Sequence, residues 1–151
     1  MVCVSTTERV AAAPEEVFAF LDTPANHERI SPSISSVHGV TPLDDGGHRA
    51  GYTYQLFGIP LRGTVEAAVH DPPTRLQFSL DGGIDGLMDW RIESDGSGTT
   101  VTCEATFEVP GGPLAALFAP LVRWYNQREL DGTLANLRAA FEETDTLDAG
   151  T

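Results

Sequence analysis

The chain has 151 residues and a 41% apolar fraction, enough for one domain with a real core and too few for two. Its net charge is −13, from 22 acidic and 9 basic residues, all nine of them Arg. Such a surface repels DNA, RNA and anionic lipid, whose phosphates need positive charge, and it suits concentrated salt, a halophilic setting in which cations screen its self-repulsion. No apolar run approaches the roughly 18 residues of a membrane span. The N-terminus lacks the charged-then-apolar pattern of a signal peptide, so the expectation is a soluble cytoplasmic protein.

Motifs exclude more than they identify. Cys3 and Cys103 are too few for a disulfide scaffold or a cysteine zinc site, and neither lies in a CxxC. His27, His38, His48 and His70 never take the spacing of HExxH, and no GxGxxG, P-loop or GxSxG occurs. The expectation is therefore no metal and no cofactor.

In chain order, "MVCVSTTERVAA" reads as a strand with Val2, Val4 and Val10 of one parity. Pro14 followed by Glu15 and Glu16 suits a helix N-terminus. Val17, Phe18 and Leu21 form its apolar stripe, Pro24 ends it, and a second short helix follows over 25–30. From Ser36 to Val109 the pattern predicts a meander of strands, and from about Pro113 to Glu143 one long helix. The single domain is placed at 1–144, with 145–151 as a flexible tail.

The turns set the register. "FGIP" places Leu56, Tyr54 and Tyr52 opposite Leu61, Gly63 and Val65. "DPPT" places Val69, Ala67 and Val65 opposite Leu76, Phe78 and Leu80. "DGG" sets Leu80 and Phe78 against Ile84 and Gly86. The loop at "DGSG" sets Ile92, Trp90, Met88 and Gly86 against Val101, Cys103, Ala105 and Phe107. The four turns give one continuous apolar face; Glu66, His70, Asp89, Thr102 and Glu104 fall on the other, so the sheet is antiparallel with one wet side. Seven strands make a sheet about 30 Å wide, and one helix is about 10 Å across. The sheet must curl around the helix, with small inward residues (Gly63, Ala67, Gly86, Ala105) opposite large ones, an arrangement that leaves a cavity.

The segments "VAAAPEEVFAFLDTPANHERI", "VHDPPTRLQF", "GTTVTCEATFEV" and "LVRWYNQRELDGTLANLRAAFEE" together resemble the START-like or Bet v 1-like (SRPBCC) superfamily, and within it the polyketide cyclase/dehydrase-like proteins. The resemblance covers nearly the whole chain. It implies an α+β helix-grip fold: a curled seven-stranded antiparallel sheet around a long C-terminal helix, with two short helices after strand 1. It carries no shared catalytic motif. The first and last strands should be antiparallel neighbours, so Cys3 should oppose the end of the last strand and both thiols should be free.

The long helix holds the candidate polar fixtures. Leu130, Leu134, Leu137 and Phe141 form a clean stripe. Traced backwards it runs through Asn126 or Gln127 and then Arg123. The apolar residues of the first half, Leu114, Leu117 or Phe118, Leu121 and Tyr125, lie almost opposite at about 100° per residue. Arg123, Asn126 and Gln127 are thus expected at the cavity or its mouth. Gly132 costs about 1 kcal/mol relative to Ala and marks a bend or a close approach to the sheet.

The candidate site is apolar and aromatic, from Tyr52, Tyr54, Phe78, Met88, Trp90 and Phe107, with Arg123, Asn126 and Gln127 as polar groups, the composition of a small-molecule site. Tyr52, Tyr54 and Trp90 fit core positions as well. No His, Asp or Glu falls inward by this register, which favours a binder or carrier of a small hydrophobic molecule over a cyclase. A third alternative is a homodimeric interaction module using Leu117, Leu121 and Tyr125.

Overall fold

The structure is a computed structural model that describes residues 2–44, 46–82, 85–108 and 115–149. The elements, in chain order, are β1 (Val2–Val10), α1 (Pro14–Asp22), α2 (Pro24–Ile30), β2 (Ile34–Pro42), β3 (His48–Leu56), β4 (Ile59–Asp71), β5 (Arg75–Gly82), β6 (Gly86–Ser94), β7 (Thr99–Phe107) and α3 (Ala115–Ala149). Pro14 and Pro24 each open a helix, where a missing N–H costs nothing. Pro113, Val109 and Ile84 lie outside the described residues. Helix α3 continues past Glu143, and the next glycine in the chain is Gly150.

The seven strands form one antiparallel sheet in the order β1-β7-β6-β5-β4-β3-β2. It is curled around α3 in the helix-grip arrangement. The β6–β7 register matches the expected one, with Trp90 opposite Cys103 and Met88 opposite Ala105. Two other hairpins slip by two residues and so keep their faces. Tyr54, not Leu56, faces Leu61, because Phe57 and Gly58 make a two-residue turn with φ of 52° and 81°. Leu80 faces Gly86 instead of Ile84.

One register differs by a single residue. The β4–β5 ladder shifts between Ala67 and Val69, so Ala68 is exposed and His70, not Val69, faces Leu76. A bulge of this kind flips the residues beyond it to the other face. His70 therefore points into the core, contrary to the wet-face expectation. Its side chain is 9% exposed, and Nε2 lies 3.0 Å from Asp22 Oδ2.

The core gathers Val4, Leu21, Leu76, Trp90, Val101 and Leu134 between the inner sheet face, the short helices and α3. Val101 and Cys103 are buried while Glu104 is exposed on the opposite face. On that outer face Asp89 accepts from Arg75 and Arg91 at 3.1 and 3.2 Å. Cys3 faces Thr106, and both cysteines are free thiols. Burial pushes the Cys103 thiol up from its ordinary range, so it is held protonated.

Gly132 explains itself differently from the expectation. A Cβ placed there would meet only Pro32 Cγ, at 3.5 Å, at the junction of α2 and β2. That is an ordinary contact. The Gly132→Ala variant should therefore gain about 0.5–1 kcal/mol in urea unfolding, from the helix propensity of alanine. A loss of stability would show that the helix cannot spare that space.

Candidate ligand cavity

The apolar stripe of α3 decides what faces inward. Val122, Leu130, Leu134 and Leu137 are buried and Asn126 is half-buried, so the stripe runs back from Leu130 through Asn126 to Val122. Arg123 is one residue, about 100° of rotation, off that line. It is exposed and lines an outer groove beside β1 with Val2, Cys3, Trp124 and Gln127. This corrects the expectation for Arg123 and Gln127. Gln127 ties α3 to β1 by donating Nε2–H to Ser5 O at 2.8 Å. Tyr125 leaves the exposed stripe as well: its hydroxyl donates to Gln55 O at 3.0 Å and its ring lies 4.4 Å from that of Phe57. The exposed apolar face of α3 consists of Leu117, Phe118, Leu121 and Trp124.

Between the sheet and α3 lies a cavity of about 140 Å³. That is roughly ten times what one water needs. The sheet supplies Tyr52 and Tyr54 from β3, Phe78 from β5, Met88 and Trp90 from β6, and Ala105 and Phe107 from β7. All six aromatic and methionine positions expected from the sequence are thus on its wall. Gly63 is required here: a Cβ would collide with the Asp81 carbonyl and the Tyr52 hydroxyl.

Asn126 is the one polar residue of α3 that was expected and found. Its Oδ1 accepts from the Tyr54 hydroxyl at 2.6 Å, and its Nδ2 donates to Val122 O at 2.8 Å. Burial raises the Tyr54 phenol well above its ordinary value; the Ser33 hydroxyl opposes this, and the Tyr125 and Glu129 side chains add to it. The hydroxyl therefore stays a donor.

Five polar residues on the wall escaped the sequence reading: His27, Ser31, His48, Glu129 and Thr133. His27 sits on α2, three residues before the buried Ile30 and so on the same helix face. Its Nε2 lies 2.6 Å from Leu21 O, which fixes the proton on Nε2 in the neutral ring. Its edge packs against Phe78 and Trp90 at centroid distances of 5.3 and 5.9 Å. Burial lowers its pKa below the ordinary histidine value; the Leu21 carbonyl and the Asp22 charge oppose this more weakly. Glu129 lies three residues after Asn126 and four before the buried Thr133, a second helical line beside the leucine stripe. Its Oε2 is buried without a hydrogen-bond partner, as is Trp90 Nε1. His48 Nδ1 stands 3.8 Å from Asp22 Oδ1, too far for a hydrogen bond. Among the described residues no three such side chains converge closely enough to hold a metal ion.

The neutral His27 makes stability depend on acid. An unfolded histidine takes a proton near pH 6.5, while the buried ring resists it, so the unfolded state binds more protons in that range and stability falls as pH drops. Thermal melts between pH 7.5 and 5 should show a steeper loss for the parent than for His27→Gln, which cannot titrate. Equal slopes would mean that the ring protonates freely in the folded state.

The family described as "Polyketide cyclase / dehydrase and lipid transport" matches residues 1–142. Among solved structures, the fold is similar to TTHA0849 from Thermus thermophilus, at 20% identity and a TM-score of 0.82, covering 94% of this chain and 98% of that one. A START superfamily protein from Mycobacterium smegmatis has 15% identity and a TM-score of 0.76 over 94% and 98% of the two chains. The di-domain ARO/CYC StfQ from the steffimycin biosynthetic pathway has 13% identity and a TM-score of 0.73 over 96% of this chain and 52% of that one. No curated protein matches the sequence. The family match over nearly the whole chain, together with the curled sheet gripping α3, makes this chain a member of the polyketide cyclase/dehydrase and lipid transport family, with the START-like, Bet v 1-like fold.

Proposed function

We propose that the protein binds or carries a small hydrophobic molecule in the cavity between sheet and α3. The observation that carries this is the wall itself: Phe78, Met88, Trp90, Ala105 and Phe107 surround a space of about 140 Å³, with a smaller set of polar groups from α2, β3 and α3. A mainly apolar space of this kind gains free energy by taking in apolar surface. The family description, which includes lipid transport, supports the reading. The test is titration with neutral N-phenyl-1-naphthylamine, alongside native mass spectrometry of freshly purified protein. Saturable one-to-one binding is expected; fluorescence that rises without saturating would refute it.

A second reading is a polyketide cyclase-like enzyme acting on an aromatic or polyketide substrate. The specific observation in its favour is that a neutral imidazole, His27, and a carboxylate, Glu129, share the wall, the residue types needed for proton transfer. The likeness to a di-domain ARO/CYC points the same way. Turnover of a polyketide mimic, lost in His27→Gln, would favour it over carriage. The exposed Leu117, Phe118, Leu121 and Trp124 support self-association as a separate property, read by light scattering of the parent against Leu121→Asp.

A further inference from the structure

We infer that the cavity selects an uncharged, ring-bearing molecule that carries a hydroxyl group, which donates its hydrogen bond to Glu129, and that it rejects carboxylates. This rests on the cavity being a binding site. Glu129 Oε2 is buried and has no partner, a costly state for an oxygen of this kind. Several donors on the helical side are already committed. The Tyr54 hydroxyl goes to Asn126 Oδ1, and the Asn126 amide goes to Val122 O. The Thr133 hydroxyl goes to the Glu129 backbone carbonyl at 2.9 Å, and the Tyr125 hydroxyl to Gln55 O. His27 spends its Nε2–H on Leu21 O. What remains is an acceptor facing a space lined by rings, and a ligand hydroxyl completes it. Trp90 Nε1–H, also buried and unpartnered on the sheet side, offers a donor to an acceptor on the same ligand.

The same wall excludes anions. Among the described residues no arginine lines the cavity, and the chain has no lysine. A ligand carboxylate would be buried beside Glu129 with no arginine or lysine to pair it, in a molecule of net charge −13. A fatty-acid headgroup is therefore the wrong chemistry for this site, and an alcohol or phenol the right one.

Three ligands of one shape decide it: 2-naphthol, 2-methylnaphthalene and 2-naphthoate, titrated at pH 7 against the parent and Glu129→Leu. In the parent, 2-naphthol should bind about tenfold tighter than 2-methylnaphthalene, the scale of one hydrogen bond to a charged group, and 2-naphthoate should bind weakest. In Glu129→Leu the preference for 2-naphthol over 2-methylnaphthalene should vanish. If 2-methylnaphthalene binds and 2-naphthol binds no better, or 2-naphthoate binds as tightly as 2-naphthol, the inference is overturned and the cavity reading stands. A naphthol preference that survives in Glu129→Leu overturns it too. If none of the three binds the parent, the cavity reading itself falls.

Discussion

Replacing Trp90 by Ala should cost about 3–5 kcal/mol of unfolding free energy, the range for removing a large buried ring. Trp90 is fully buried at the centre of the sheet. It stands opposite Leu76 on one side and Cys103 on the other, both also fully buried, and meets the edge of His27. The truncated side chain would leave a void joined to the existing cavity, and neither neighbouring strand can move in without breaking its ladder. Urea unfolding of the two proteins measures the loss. Arg123→Met is the comparison, because Arg123 is exposed and its replacement should stay within about 0.5 kcal/mol. A Trp90→Ala loss below about 1 kcal/mol would show that the ring is a replaceable wall of the cavity and not part of the core.

Replacing Ala105 by Phe should close the cavity. Ala105 sits on β7 opposite Met88 and Val4, and its methyl group is on the cavity wall. A benzyl group there has the open space before it, so the stability cost should stay within the roughly 1–3 kcal/mol typical of overpacking. Binding of N-phenyl-1-naphthylamine should weaken by about a hundredfold, because the ring takes the volume the ligand needs. Unchanged affinity in a folded Ala105→Phe protein would place the ligand elsewhere, with the outer groove beside Cys3 and Trp124 as the next site to examine.

The sequence carried the sheet well because side-chain period is robust to two-residue errors. The β3–β4 and β5–β6 hairpins are each two residues away from the expected pairing, yet Tyr52, Tyr54, Phe78 and Met88 all remain on the wall. A one-residue event is different. The bulge at Ala68, beside the equally small Ala67, leaves no trace in composition, and it turned His70 inward unannounced. The same arithmetic governs α3. Choosing Gln127 or Asn126 as the member of the stripe differs by one residue, and only the Asn126 choice leads to Val122 and leaves Arg123 in solvent. His27 was hidden by length: α2 has seven residues, too few for a period, although its distance of three from Ile30 was a usable signal. Glu129 was hidden by its neighbour Leu130, which reads as the stripe, while the parallel line Val122, Asn126, Glu129 and Thr133 passes unnoticed among polar residues. The family resemblance was legible because it rests on element order. The polar chemistry of the cavity was not, because it rests on helical phase and on single residues of register.

The most direct test of the central claim is a methyl and backbone NMR titration of the protein with 2-naphthol, read as the map of shifted signals. The cavity account predicts the largest changes at Ala50, Met88, Ala105, Leu130 and Thr133, which come from three strands and α3 and all line the internal space. Changes concentrated at Val2, Cys3, Ala119 and Trp124, along the outer groove, would contradict it.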